Sequence, residues 1–102
     1  MLDLHLSSNQ CLCVETPSGE VEVCVLDVRP ETNEASIEVK GPEEWDVALP
    51  GETTYKLHDE FVVGVPDGQI RLKLLRFRPR PDGTGGSVSL GIDAPREWPV
   101  LR

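Results

Sequence analysis

The sequence predicts an all-β fold made of two diverged copies of one small module, and three observations carry that prediction. Shifted by 49 positions, Leu12 to Pro30 lies over Phe61 to Pro79, with Pro17 on Pro66, Gly19 on Gly68, Leu26 on Leu75, Arg29 on Arg78 and Pro30 on Pro79. Past that stretch the shift becomes 53, and Pro42, Glu44, Trp45 and Val47 fall on Pro95, Glu97, Trp98 and Val100. Within each copy apolar and polar residues alternate between turns bearing Pro and Gly, and no segment has the 3.6-residue period of a helix.

Size makes the two copies interdependent. The chain has 102 residues, enough for one domain. A chain of about 60 residues buries only about 60% of the surface it exposes when unfolded, so a lone half would be marginal. The halves are expected to share a core, with copy one at 1–49, a hairpin linker at 50–52 and copy two at 53–102. A hydrophobic content of 38% with nine Gly and nine Pro suits short strands and many turns rather than disorder.

Each copy reads as five short strands. The first surrounds Leu4 in copy one and Thr53 to Lys56 in copy two. The second ends at Thr16-Pro17-Ser18-Gly19 and at Val65-Pro66-Asp67-Gly68, where Pro at the second turn position has a suitable fixed φ and Gly closes the hairpin. The third, Val21 to Val25 and Ile70 to Leu74, alternates with period two, as a strand with one buried face should. Alternation breaks at Leu26 and Leu75, which predicts a bulge at the same place in both copies. Loops at 31–35 and 81–86 lead to the fourth strands, Ser36 to Val39 and Val88 to Ile92. A last strand carrying the tryptophan follows Pro42 and Pro95, and the two indoles are expected in related, at least partly buried settings.

The reactive residues form no recognisable catalytic order. His5 and His58 stand apart from any nucleophile, and Asp82-Gly83-Thr84-Gly85-Gly86 lacks the Lys and the helix of a phosphate-binding loop, so no enzyme and no cofactor are expected. Cys11, Cys13 and Cys24 are odd in number and lack a histidine at ligand spacing. They read as free thiols packed as small hydrophobes, with no metal site and no disulfide. The N-terminal segment has neither the basic flank nor the apolar run of a secretory signal, and no run of about 20 apolar residues exists, so a cytoplasmic protein without membrane partners is expected.

Met1-Leu2 with Leu4, the strand ending Val25-Leu26-Asp27-Val28, and above all Leu90-Gly91-Ile92-Asp93-Ala94-Pro95-Arg96-Glu97 resemble the carbon storage regulator (CsrA/RsmA) family of bacterial RNA-binding translational regulators. The resemblance spans nearly the whole chain, once per half. It implies a single-chain pseudo-dimer of two interlocked five-stranded repeats, monomeric, with the first strand of one copy pairing with the fifth of the other. Pro50-Gly51, suited to a type II turn, would then join two such strands in a tight hairpin. The resemblance also implies a site for a GGA-containing RNA hairpin loop on each strand pair.

Carried over residue by residue, that site is incomplete. Leu4 keeps the family's first-strand leucine, but the two basic positions after it are Leu6 and Ser7. Arg102 holds the fifth-strand arginine position in copy two, beside Val100, whereas copy one has Leu49. Leu4, Leu6, Val100 and Arg102 are therefore the candidate RNA contacts. Tyr55 and Lys56 are weaker candidates for a second site, which Pro50, Gly51 and Glu52 obstruct.

Charge opposes RNA binding overall and divides unevenly. The net charge is −8, yet residues 1–51 hold eleven acidic and two basic side chains while residues 52–102 hold seven and eight. Arg71, Lys73, Arg76, Arg78 and Arg80 make a basic run, read either as a solvated strand guarding a sheet edge or as a surface for RNA or an acidic partner. Two functions follow: an RNA-binding post-transcriptional regulator with at most one degenerate site, or an acidic interaction module that has exchanged RNA for a protein partner.

Overall fold

A computed structural model of the chain describes residues 2–46, 49–83 and 85–101. Among the described residues there are nine strands: β1 Leu2–Ser7, β2 Gln10–Thr16, β3 Gly19–Arg29, β4 Glu34–Lys40, β5 Gly51–Lys56, β6 Glu60–Val65, β7 Gly68–Pro79, β8 Gly86–Asp93 and β9 Val100–Leu101. Among the described residues no helix is long and apolar enough to cross a membrane. The fold is all-β, in two antiparallel sheets ordered β1-β8-β7-β6 and β5-β4-β3-β2-β9.

The period-two patterning makes each sheet one-sided. In β2, Leu12, Val14 and Thr16 are buried while Cys11, Cys13 and Glu15 between them are not. In β7, Ile70, Leu72 and Leu74 are buried while Arg71 and Lys73 face out. The two inner faces meet in one core to which both halves contribute, among them Val23, Val25 and Ile37 with Ile70, Leu74 and Leu90. The Cα radius of gyration of 13.3 Å is close to the roughly 13 Å of a single domain of about 100 residues, which fits one core rather than two beads.

The sheets are woven from both halves of the sequence. β5 and β9, from the second half, flank the β2–β3–β4 meander of the first, and β1 flanks the β6–β7–β8 meander of the second. Register repeats along with topology: Leu2 lies opposite Ile92 and Leu4 opposite Leu90, as Gly51 lies opposite Val39 and Thr53 opposite Ile37. These pairs are related by the same shifts that relate the two halves of the sequence.

Local geometry repeats as well. The expected bulges occur between Val25 and Asp27 and between Leu74 and Arg76. Asn9 and His58, 49 apart, both have positive φ, 69° and 72°. Their N–H groups donate to the Val25 and Leu74 carbonyls at 2.7 and 2.9 Å. The Ser7 and Lys56 N–H groups each donate to the side chain three residues on, Gln10 Oε1 and Asp59 Oδ2, both at 2.8 Å. At the hairpin tips Asp67 Oδ2 accepts from the Ser18 N–H at 3.0 Å. Ser18 and Asp67 are 49 apart, the offset that relates the two hairpins in sequence.

Three expectations are corrected. The tryptophans lie in turns, not strands: the N–H groups of Trp45 and Trp98 donate to the carbonyls of Pro42 and Pro95, and each indole covers its copy's hairpin glycine, Gly19 or Gly68. The hairpin linker expected at 50–52 is shorter than that. Gly51 has the positive φ of 68° that such a turn needs, but Gly51 and Glu52, expected as linker, already belong to β5, which pairs with β4. Among the described residues the first strand of copy one and the fifth of copy two are not partners: β1 pairs with β8, and β9 with β2. A β-strand offers hydrogen bonds on two edges only, and these open edges were those of the meanders. A strand over Val47 and Ala48 falls outside the described residues.

Candidate nucleic-acid interface

Alternation along β1 decides the fate of the first-strand candidates. Leu2, Leu4 and Leu6 share one face and Asp3, His5 and Ser7 the other. Leu6 is 1% exposed and belongs to the core, so it offers nothing to a ligand. A residue two positions from an inward leucine is itself inward, and a basic side chain there would be buried; leucine is the residue the position accepts. Leu4 is half-buried against the core, and Leu2, 45% exposed, is the leucine of this strand that reaches the surface.

Leu2 and Val100 meet across an open groove of about 280 Å³, although their strands do not pair. Ile92, Asp93, Ala94, Pro95, Arg96, Trp98 and Pro99 complete its walls. The stretch that carries the family resemblance thus lines one wall, and the strands from the two ends of the chain lie on its flanks. Arg102 follows β9 immediately but lies outside the described residues. Sequence reasoning passed over Arg96, whose signal was its place inside the most specific motif. By the shift of 53, the corresponding residue of copy one is Glu43, and by the shift of 49 Leu2 corresponds to Gly51.

The second-site candidates sit elsewhere. Tyr55 stacks on Phe61 with ring centroids 4.1 Å apart and an interplanar angle of 13°, which uses its ring face within the fold. Lys56 is exposed at the end of β5, and Leu49 packs against the core.

The basic run is not on an edge. β7 lies between β8 and β6, so the edge-guarding reading is overturned. On the outer face of this sheet Arg71 and Lys73, then past the bulge Arg76 and Arg78, stand in a row. Asp93 and Glu60 lie opposite Arg71 and Lys73, but Arg76 and Arg78 face Ser89 and Ser87 on β8, with His5 and Ser7 beyond on β1. Ser89 Oγ and His5 Nδ1 are 2.6 Å apart. Among the described residues none of Arg71, Lys73, Arg76 and Arg78 forms an ion pair. Small neighbours and absent counter-charges leave Arg76 and Arg78 available to an anionic ligand.

The outer face of the other sheet has the opposite character. Glu15, Glu20, Glu22, Glu38 and Glu52 occupy outward positions on β2 to β5, with Lys40 paired to Glu38 at 3.2 Å. Cys11 and Cys24, directly opposite in register, are bonded as a disulfide, and Cys13 remains free. This corrects the expectation of three free thiols: an odd count leaves one cysteine over but does not stop the other two from meeting across a hairpin. Burial, then the charges of Glu22, Glu20 and Glu15, push the Cys13 thiol above its ordinary value.

Comparison with protein-family models, with curated proteins and with solved structures gives no match for this chain.

Proposed function

We propose that this chain is a single-chain pseudo-dimer of the carbon storage regulator type, an RNA-binding post-transcriptional regulator with one RNA site in the groove between β1 and β9. The exchange of edge strands between the halves carries the reading. It brings β1 and β9 to one groove walled by Ile92, Asp93, Ala94, Pro95 and Arg96 of the motif. Leu2 provides the apolar flank, with Leu4 packed against the core behind it, Val100 the opposite strand, and Arg96 a donor to phosphate or a guanine edge. This reading assigns the second donor to Arg102, the next residue in sequence after β9. Glu43 of copy one and Gly51 at the start of β5, the places that correspond to Arg96 and Leu2, argue that the related site is lost. Arg76 and Arg78 extend the cationic surface available to an RNA backbone.

Titrating a GGA-containing RNA hairpin at low salt tests this reading. One site per chain is expected, with affinity falling as salt rises. Arg102→Ala should remove about 1 to 3 kcal/mol, the scale of one specific base contact, while Leu49→Ala should leave affinity nearly unchanged.

The acidic face favours one other reading, a module that binds a basic protein partner through Glu15, Glu20, Glu22 and Glu38. No RNA binding by the folded wild type at low salt would leave this as the better account.

A further inference from the structure

We propose that Cys11, Cys24 and Glu22, with Cys13 as fourth donor, form a site for a zinc-type divalent cation on the outer face of β2 and β3, occupied when the Cys11–Cys24 disulfide is reduced. In the hairpin register Cys11 lies opposite Cys24 and Cys13 opposite Glu22. Two adjacent cross-strand pairs thus place four donor side chains at the corners of one patch. All four alternate with core residues, Leu12 and Val14 on β2 and Val23 on β3, each 0% exposed, so a packed backbone fixes their directions.

The distances suit the chemistry. The donor atoms of Cys11, Glu22 and Cys24 all lie within 4.8 Å of one another, and Cys24 Sγ is 3.2 Å from Glu22 Oε1. Tetrahedral zinc holds sulfur at about 2.3 Å and carboxylate oxygen at about 2.0 to 2.2 Å, which puts neighbouring donors roughly 3.5 to 3.8 Å apart. Small side-chain rotations close the remaining gap. Cys13, next on the same face and across from Glu22 in register, lies outside that close group and is the fourth donor the proposal adds. Thiolates select zinc over magnesium or calcium, and Glu15, Glu20 and Glu38 on the surrounding face add the negative potential that attracts a cation.

Disulfide and metal are alternative states of one pair of sulfurs. A dithiol or phosphine reductant supplies two electrons: the S–S bond breaks, two thiols form, and the dithiol leaves as its disulfide or, with water giving the oxygen and the two protons, the phosphine leaves as its oxide. The cation then replaces the thiol protons, which pass to solvent. A small-molecule disulfide takes the two electrons back by thiol–disulfide exchange and leaves as two thiols, which reforms the Cys11–Cys24 bond and ejects the metal.

Cobalt(II) is the direct probe. Phosphine-reduced protein, freed of reductant under anaerobic conditions, should develop tetrahedral cobalt–thiolate absorption that saturates at one ion per chain and is displaced by one equivalent of zinc. Zinc should also raise the melting temperature of the reduced protein and leave that of the oxidised protein unchanged. Cys24→Ser should abolish the band. Glu22→Gln, on the surface and without a demand on folding, should weaken cobalt affinity about tenfold or more while keeping thiolate absorption. Absence of the band in reduced wild type of native circular dichroism would overturn the proposal. So would a band indifferent to both substitutions.

Discussion

On one side of the shared core, Arg76 and Arg78 stand over Ser89 and Ser87 with no acidic residue opposite them. On the other side, Glu15, Glu20, Glu22 and Glu38 crowd around three cysteines. The inner faces of the two sheets differ little: Val, Leu and Ile at matching positions, the same bulge, and a tryptophan over the same glycine. Core positions are held alike because each inward side chain must fill a fixed volume. Outward positions carry no such demand, and the two sheets carry opposite charge there. What the two sheets share therefore reports packing, and what separates them lies on the faces open to ligands.

The tryptophans give the largest expected difference between the halves. Trp98 is 5% exposed, whereas Trp45 is half-buried and donates its indole N–H to the Ser18 carbonyl at 3.2 Å. Trp98→Ala should cost about 3 to 5 kcal/mol in chemical denaturation, the range for a fully buried aromatic. Trp45→Ala should cost about 1 to 3 kcal/mol, a partial loss of burial plus one hydrogen bond. Equal costs would mean that the two turns are packed equally well and that the asymmetry stops at the outer faces.

Charge reversal separates the faces directly. Arg76→Glu with Arg78→Glu should weaken binding of a GGA-containing hairpin about tenfold at low salt and flatten the dependence of affinity on salt, since each lost phosphate contact removes about 0.7 from the logarithmic slope for a single strand. Glu20→Lys with Glu38→Lys, on the other sheet, should change affinity by less than about threefold. If both pairs act alike, long-range potential rather than a defined surface governs the interaction.

Much of this was legible in the sequence, and what was not shares one physical cause. Hairpins at Pro17 and Pro66, bulges at Leu26 and Leu75 and the alternating core depend on neighbours a few residues apart, and they could be read from spacing. Strand partners cannot. Which edge β1 and β5 cover depends on where the other meander leaves hydrogen-bonding groups open, and that misplaced the pairing of β1 with β9. Leu6 was legible in principle, since parity with Leu4 buries it, but the family's basic position there drew attention to the wrong face. The groove near Val100 and the meeting of Cys11 with Cys24 and Glu22 are products of register, visible only once strands are aligned.

Cys13 offers the smallest and most local test of the acidic face. In the oxidised, metal-free protein its thiol is half-buried and lies near Glu15 on its own strand and Glu20 and Glu22 on β3, with the uncharged Leu101 of β9 on its other side. These surroundings favour the neutral thiol and raise its pKa above the ordinary 9.0. Alkylation by iodoacetamide requires the thiolate, so at pH 8 it should run slower in the folded protein than in denaturant, and the gap should narrow as pH rises through the raised value. The folded state holds its proton to higher pH than the unfolded chain. The contribution to stability is therefore full below about pH 9 and is lost as pH climbs through the folded pKa. Glu22→Gln with Glu20→Gln should speed alkylation at pH 8 by lowering that pKa, with burial left as the main remaining cause. An unchanged rate would show that desolvation alone protects the thiol and that the carboxylates of this face act on ligands from outside rather than on the cysteine beside them.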